Sequence, residues 1–206
     1  ENLFKSDDRN DDHLIRFNFY EELQEYFIEK SLNNFNFIEL GCGPFTNTKL
    51  LLNKFQNFNF EKISLLDPLA ADYLNHPNCF YKDRKINGRE VDLHSIAIEQ
   101  FETEEKYDML LITNVLEHCY DIDVIFDKIF NLLKKDGILI FSDVFFKGDS
   151  AKDMTQITYD AGHPLKLSEA KMESLLEKFE PIYDKNFERL YGQSWRNDKY
   201  FIGFKK

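Results

Sequence analysis

Cysteine is scarce in this chain. Cys42, Cys79 and Cys119 are the only three in 206 residues, and no two of them stand close enough to form a metal knuckle. That spacing excludes a disulfide framework and a zinc ribbon, and leads to the expectation of reduced thiols in a cytoplasmic protein. No apolar run approaches the ~20 residues of a membrane span, and the first residues carry no signal-peptide pattern. Glu1 stands where an initiator Met would, so natural residues are expected before it. Pro, Gly and Ser do not cluster into a linker, so one domain is expected over residues 1–206. Positive charge is in deficit: 26 Lys and Arg face 37 Asp and Glu, a formal net charge of −11. Such a surface repels phosphate backbones, so nucleic acid is not expected as a partner, and the lack of a long apolar run leads to the same expectation for a membrane. The oligomeric state stays open. Asp7, Asp8, Asp11 and Asp12 lack the Gly and distal Glu of a calcium loop. Residues 1–12 read as a solvated polar tail, and no group of side chains at ligand spacing calls for a metal.

Hydrophobic residues make up 43 % of the chain and charged residues 31 %, the proportions of a folded α/β domain of this length. Phe19, Tyr20, Leu23, Tyr26 and Phe27 recur at helical steps and predict a helix over 13–33. Phe35 to Leu40 reads as a buried strand that runs straight into Gly41-Cys42-Gly43-Pro44. A helix capped by Thr46 or Asn47 follows, with Leu50, Leu51 and Phe55 inward. Ile63 to Leu66 is a second strand, closed by Asp67-Pro68. Pro77-Asn78 and Asn87-Gly88 mark turns, and a third strand is expected within Val91 to Ile98. Tyr107 to Thr113 is a fourth strand. A helix over Asp121 to Lys135 carries lysines in its last turn and stops at Asp136-Gly137. Ile138 to Val144 is a fifth strand, and residues 145–167 read as a substrate-side loop. A helix starts at Ser168, with Met172, Leu175 and Leu176 inward. Two strands near Pro181–Arg189 and Lys199–Phe204 close the chain without a helix between them. Alternating strands and helices imply right-handed crossovers and a parallel sheet. The final pair forces one strand to run against its neighbour. The expectation is therefore a Rossmann-like α/β fold: a seven-stranded, mostly parallel sheet with helices on both faces and the last strand antiparallel.

Four segments carry chemistry. In Phe37-Ile38-Glu39-Leu40-Gly41-Cys42-Gly43-Pro44 a strand, a glycine turn and a helix follow one another, and glycine permits both the sharp turn and the close approach of a ligand. Asp67 ends the second strand 24 residues after Gly43 (67 − 43). An acid there can accept from two ribose hydroxyls, since a carboxylate has two oxygens. The third segment runs from Tyr107 to His118 and ends in Asn114-Val115-Leu116-Glu117-His118. The fourth is Leu132-Leu133-Lys134-Lys135-Asp136-Gly137-Ile138-Leu139-Ile140.

Together these segments resemble class I S-adenosylmethionine (SAM) dependent methyltransferases of the small-molecule branch, over about residues 35–145. The resemblance implies SAM as cofactor and a role for each matching position. Glu39 would hold the amino end of the methionine moiety, directly or through water, while Gly41, Cys42 and Gly43 pass beneath the cofactor. Asp67 would bind the ribose, with Pro68 or Leu69 near the adenine. Ala97 and Ile98 would supply backbone contacts to the adenine; the stretch Ser95–Glu99 does not place the family's usual acid cleanly, and Glu99 is the candidate for it. Asn114 would face the methionine portion. A second reading stays open at three of these positions: Glu39 as a buried structural acid, Asp67 as a helix cap or turn residue before Pro68, and Asn114 as the cap of the next helix.

Methyl transfer from a sulfonium is an in-line displacement, so the protein mainly supplies alignment. An oxygen acceptor also needs its proton removed. His163, in the polar stretch after the fifth strand, and His118, after the fourth, are the candidate bases. Tyr159 and Asp160 are candidate substrate contacts, as are Arg16 and Tyr20 on the first helix. The segment after the fourth strand is not the Asn/Asp-Pro-Pro-Tyr of amino-group DNA and glutamine methyltransferases. The expectation is O-methylation of a small hydroxylated metabolite such as a sugar or nucleotide sugar. Two alternatives accompany it. One is a non-catalytic SAM-binding partner subunit. The other is an NAD-dependent oxidoreductase, disfavoured because Thr46 stands where the dinucleotide fingerprint wants its third glycine.

Overall fold

The computed structural model describes residues 33–55, 58–147, 164–191 and 194–206. The polar tail, the helix expected over 13–33 up to residue 32 with Arg16 and Tyr20, and Tyr159, Asp160 and His163 lie outside the described residues, while Asn33, the expected end of that helix, already belongs to a strand. The strands are β1 (Asn33–Leu40), β2 (Asn59–Leu66), β3 (Lys85–Ile86), β4 (Arg89–Glu90), β5 (Asp92–His94), β6 (Tyr107–Thr113), β7 (Leu133–Phe145), β8 (Phe179–Tyr191) and β9 (Ser194–Lys205). The helices are α1 (Asn47–Lys54), the single turn α2 (Ala70–Tyr73), α3 (Ile122–Leu132) and α4 (Glu169–Leu176). Seven strands form one sheet in the order β5-β2-β1-β6-β7-β9-β8, and β3–β4 is a separate ribbon. The fold is the expected Rossmann-like one, with β9 antiparallel to both β7 and β8. The chain divides into two compact units, Glu1–Phe101 and Glu102–Lys206.

In the first unit β1 pairs in parallel with β2, and β2 with β5. Phe37, Ile38, Glu39 and Leu40 are all 0 % exposed, which is the mark of a strand covered on both faces. Helix α1 starts at Thr46, whose hydroxyl accepts from the Thr48 N–H, and it buries Leu50, Leu51 and Leu52. The expected third strand is shorter than the window read for it. The chain leaves β5 at His94 and makes a 3-10 turn over Ile98–Gln100, in which Ala97 O accepts from Gln100 N. Asn87-Gly88 is the turn of the β3–β4 ribbon, with φ of 50° and 80° at its two central residues, as a tight hairpin requires.

In the second unit β6 and β7 are parallel, and β9 returns between β7 and β8. Helix α3 is capped by Asp121, whose carboxylate accepts from Asp123 N and Val124 N. It ends at Leu132, three residues before the expected Lys135. Leu133 is already extended and pairs with Tyr107. The lysines therefore follow the helix instead of completing it, and Lys134 pairs with Asp108 at 2.8 Å. Asp136-Gly137 still marks a break: Asp136 has φ 60°, and a Cβ on Gly137 would lie 2.9 Å from Lys134 O. Ser168 caps α4, which buries Met172, Leu175 and Leu176 as expected. Lys199 of β9 is 2 % exposed and joins Glu173 of α4 (2.9 Å) to Asp184 of β8.

Candidate active site

Where β1 ends, the chain turns through Gly41 (φ 69°) and Gly43 (φ 52°). This left-handed backbone suits glycine, because a Cβ there crowds the following carbonyl. The N–H groups of Gly41 and Cys42 both point at Leu66 O, at 2.7 and 3.1 Å, and tie the loop to the end of β2. One residue further along β2, Asp67 Oδ2 accepts from Gly43 N at 3.1 Å, and its Oδ1 accepts from Leu69 N at 2.9 Å. The glycine turn and the acid are therefore a single hydrogen-bonded unit. A Cβ built on Gly43 would meet no atom within 4 Å, so the backbone there borders open space. Pro68 and Leu69 are exposed beside it, Ala97 is half-buried and Ile98 is 3 % exposed.

Glu39 turns away from this rim. It is 0 % exposed, and its carboxylate is spent on the start of α1. Oε1 accepts from Asn47 N (2.9 Å) and Asn47 Nδ2 (3.2 Å), and Oε2 accepts from the Thr46 hydroxyl, Thr48 N (3.0 Å) and the Thr48 hydroxyl (2.5 Å). An anion at a helix N-terminus satisfies orphan N–H groups and meets the positive end of the dipole. Burial nonetheless outweighs these donors and raises the carboxyl above its ordinary value. These bonds make Glu39 the anchor of the start of α1, directly after the glycine turn.

Sequence reasoning missed the groups that brace the loop from its other side. The buried Tyr81 hydroxyl donates to Gly43 O at 3.0 Å and accepts from the Cys42 thiol at 3.6 Å. Phe80 N donates to Pro44 O at 2.9 Å. Burial, then the charges of Glu39 and Asp67, push the Cys42 thiol well above its ordinary value, so it stays protonated. Tyr73 is likewise raised by burial and by the Asp67 charge. These residues sit in the stretch after β2 where turns were the sole legible signal.

The second unit carries the segment after β6. Asn114 has φ 56° and donates its backbone N–H to Ser142 O at 2.7 Å. It caps neither of the described helical segments that follow it: α3 is capped by Asp121, and the 3-10 turn Leu116–His118 has no side-chain cap. Val115 N and Leu116 N both donate to Asp143 Oδ2, at 3.0 and 2.9 Å, while Oδ1 accepts from Val144 N at 2.8 Å. Asp143 is 2 % exposed, and burial pushes its carboxyl up to about 6 against the pull of those three N–H groups. His118 is exposed, with its backbone N–H on Val115 O.

The family profile described as "Methyltransferase domain" matches residues 12–180. The chain belongs to the class I SAM-dependent methyltransferases. This methyltransferase is 32 % identical over 127 residues to malonyl-[acyl-carrier protein] O-methyltransferase 2 of Ilyobacter polytropus, an alignment covering 59 % of this chain and 45 % of that one. It is 25 % identical over 112 residues to malonyl-[acyl-carrier protein] O-methyltransferase of Acetivibrio thermocellus, covering 54 % and 36 %. The alignments thus span less than half the length of these curated relatives. Its fold matches that of the N-methyltransferase NodS from Bradyrhizobium japonicum in complex with S-adenosyl-L-homocysteine, with a TM-score of 0.62, 17 % identity and coverage of 98 % of this chain and 94 % of that one. Among the described residues of the methyltransferase, no helix is long and apolar enough to cross a membrane.

Proposed function

We propose that the protein transfers the methyl group of SAM to an oxygen of a small acceptor. The observation that carries this reading is the unit formed by Gly41–Gly43 and Asp67, in which bare glycine backbone and a half-buried carboxylate are locked together by the Gly43 N–H. A carboxylate carries two acceptor oxygens, as a pair of ribose hydroxyls would demand. In this reading Gly41, Cys42 and Gly43 lie beneath the cofactor, Asp67 holds the ribose, and Pro68, Ala97 and Ile98 flank the adenine. Asn114 serves the methionine portion, and Glu39 acts through the loop it anchors. Bound SAM supplies an electrophilic methyl on a sulfonium. The protein's own work is then to align the acceptor and manage its proton.

The acceptor class follows from that division of work. A hydroxyl, as in a sugar or nucleotide sugar, must lose its proton in the reaction, and His118 or His163 would take it. A carboxylate has no proton to lose, and the names of the curated relatives favour an oxygen on a malonyl group. The net charge of −11 disfavours acidic macromolecules as carriers of either. Arg16, Tyr20, Tyr159 and Asp160 are proposed as acceptor contacts.

Calorimetry with S-adenosylhomocysteine tests the reading. Wild-type protein is expected to bind it, and D67A to bind about tenfold or more weakly, a loss of about 1.4 kcal/mol or more, while melting as a folded protein. An unchanged dissociation constant in D67A would remove Asp67 from the cofactor. Binding without turnover across hydroxyl and carboxylate acceptors would favour a non-catalytic partner subunit.

A further inference from the structure

The β6–β7 ladder ends at Asn114, whose N–H still reaches a backbone carbonyl, Ser142 O. The next two N–H groups, Val115 and Leu116, converge instead on one oxygen of the Asp143 side chain. Successive N–H groups after a left-handed residue form a concave nest for an anion. Here Asn114 (φ 56°) supplies the left-handed residue and Asp143 supplies the anion. The other carboxylate oxygen is fixed by Val144 N, so the side chain cannot rotate away without losing that bond. Neither segment signals this arrangement alone: Asp143 reads as one polar residue in a buried strand, and Val115-Leu116 as apolar filler between Asn114 and His118.

We propose that Asp143 is the positioning residue of the methyl-transfer edge, its carboxylate holding the Asn114–Leu116 turn in the conformation that binding of the cofactor requires. The inference rests on the methyltransferase reading. It is the anion that performs the task. A protonated carboxyl is a weaker acceptor than the anion, and its hydrogen must sit on an oxygen that already meets an N–H, so the hold on the nest loosens. Among the described residues, the groups around Asp143 do not neutralise it. Glu117, in the turn that it holds, opposes its ionisation. Lys199 stands opposite it on β9 in register, but its ammonium goes to Glu173 and Asp184. On β6 the adjoining residue is Thr113, which carries no charge.

The test follows the Val115 and Leu116 amide resonances of the whole chain from about pH 7.5 to about pH 5, in wild type and in D143N, with S-adenosylhomocysteine affinity measured across the same range. The two wild-type amides are expected to titrate together, and the wild-type affinity to fall about tenfold over the same midpoint. In D143N neither amide titrates, and the affinity is already about tenfold weaker at the upper pH and flat with pH. Wild-type amides that do not move, or a D143N protein that binds like wild type, would overturn the proposal. Should D143N fail to fold, the wild-type titration decides alone. Should wild type bind no S-adenosylhomocysteine at any pH, the methyltransferase reading fails, and the amides still report whether Asp143 sets the turn.

Discussion

At the scale of single residues, the acids of this protein have divided duties. Glu39 and Asp67 lie at the ends of adjacent strands, yet Glu39 is consumed by α1 while Asp67 stays at the rim. Tyr81 completes the arrangement. Its hydroxyl holds the carbonyl of the same Gly43 whose N–H meets Asp67, so both polar groups of that residue are engaged. Y81F would leave the Gly43 carbonyl without this donor, a loss of about 1–3 kcal/mol. The expected outcome is a lower urea midpoint at unchanged slope together with severalfold weaker S-adenosylhomocysteine binding. Wild-type affinity in Y81F would confine Tyr81 to scaffolding. No motif announces Tyr81, because the contact joins positions 38 residues apart through a stretch with neither helical nor strand periodicity. The glycine turn and Asp67 were legible because both sit where a strand ends, and strand ends can be read from runs of apolar residues.

At the scale of elements, the strands with continuous apolar runs were legible and the boundaries less so. Helix α3 reads through to Lys135 because Leu132-Leu133-Lys134-Lys135 fits a helical stop. The competing pull is the ladder with β6, which takes Leu133 into β7. Pairing across a sheet overrides local propensity, and no window around residue 133 contains Tyr107. The β3–β4 ribbon showed only its turn, since two-residue strands carry no period. The closing hairpin is longer than its apolar cores, and its buried Lys199 illustrates an asymmetry. Glu173 and Asp184 are 45 % and 37 % exposed in their side chains, against 2 % for Lys199. Replacing the lysine frees two carboxylates that water can reach, whereas neutralising both acids strands a buried ammonium. K199M is therefore expected to change stability by less than about 1–2 kcal/mol. The E173Q/D184N pair is expected to lose about 3 kcal/mol or more. Chemical denaturation of the two variants compares them, and equal losses would contradict the burial argument.

At the scale of the whole molecule, buried carboxylates bias the dependence of stability on pH. Asp143 and Glu39 are both raised by burial. The folded state therefore holds protons that the unfolded state has released, and stability falls as pH rises through that window. For Asp143 the window runs from its ordinary value of 3.8 to about 6. The formal charge of −11 adds self-repulsion in the same direction as the remaining groups ionise. Wild-type Tm is expected to be about 2–4 °C higher near pH 5.5 than near pH 7.5, as about 1 kcal/mol gives for a chain of this size. D143N should lose most of that difference. A Tm that rises toward pH 7.5 would mean that paired surface acids outweigh the buried ones.

The carboxylate nest at the end of β7 therefore sets two demands against each other: the proton that toughens the fold loosens the edge that has to work. Conditions chosen by melting temperature would select the slack edge. A crystal grown from such a buffer would record that form and take up ligand poorly, although the same protein binds well in a neutral assay.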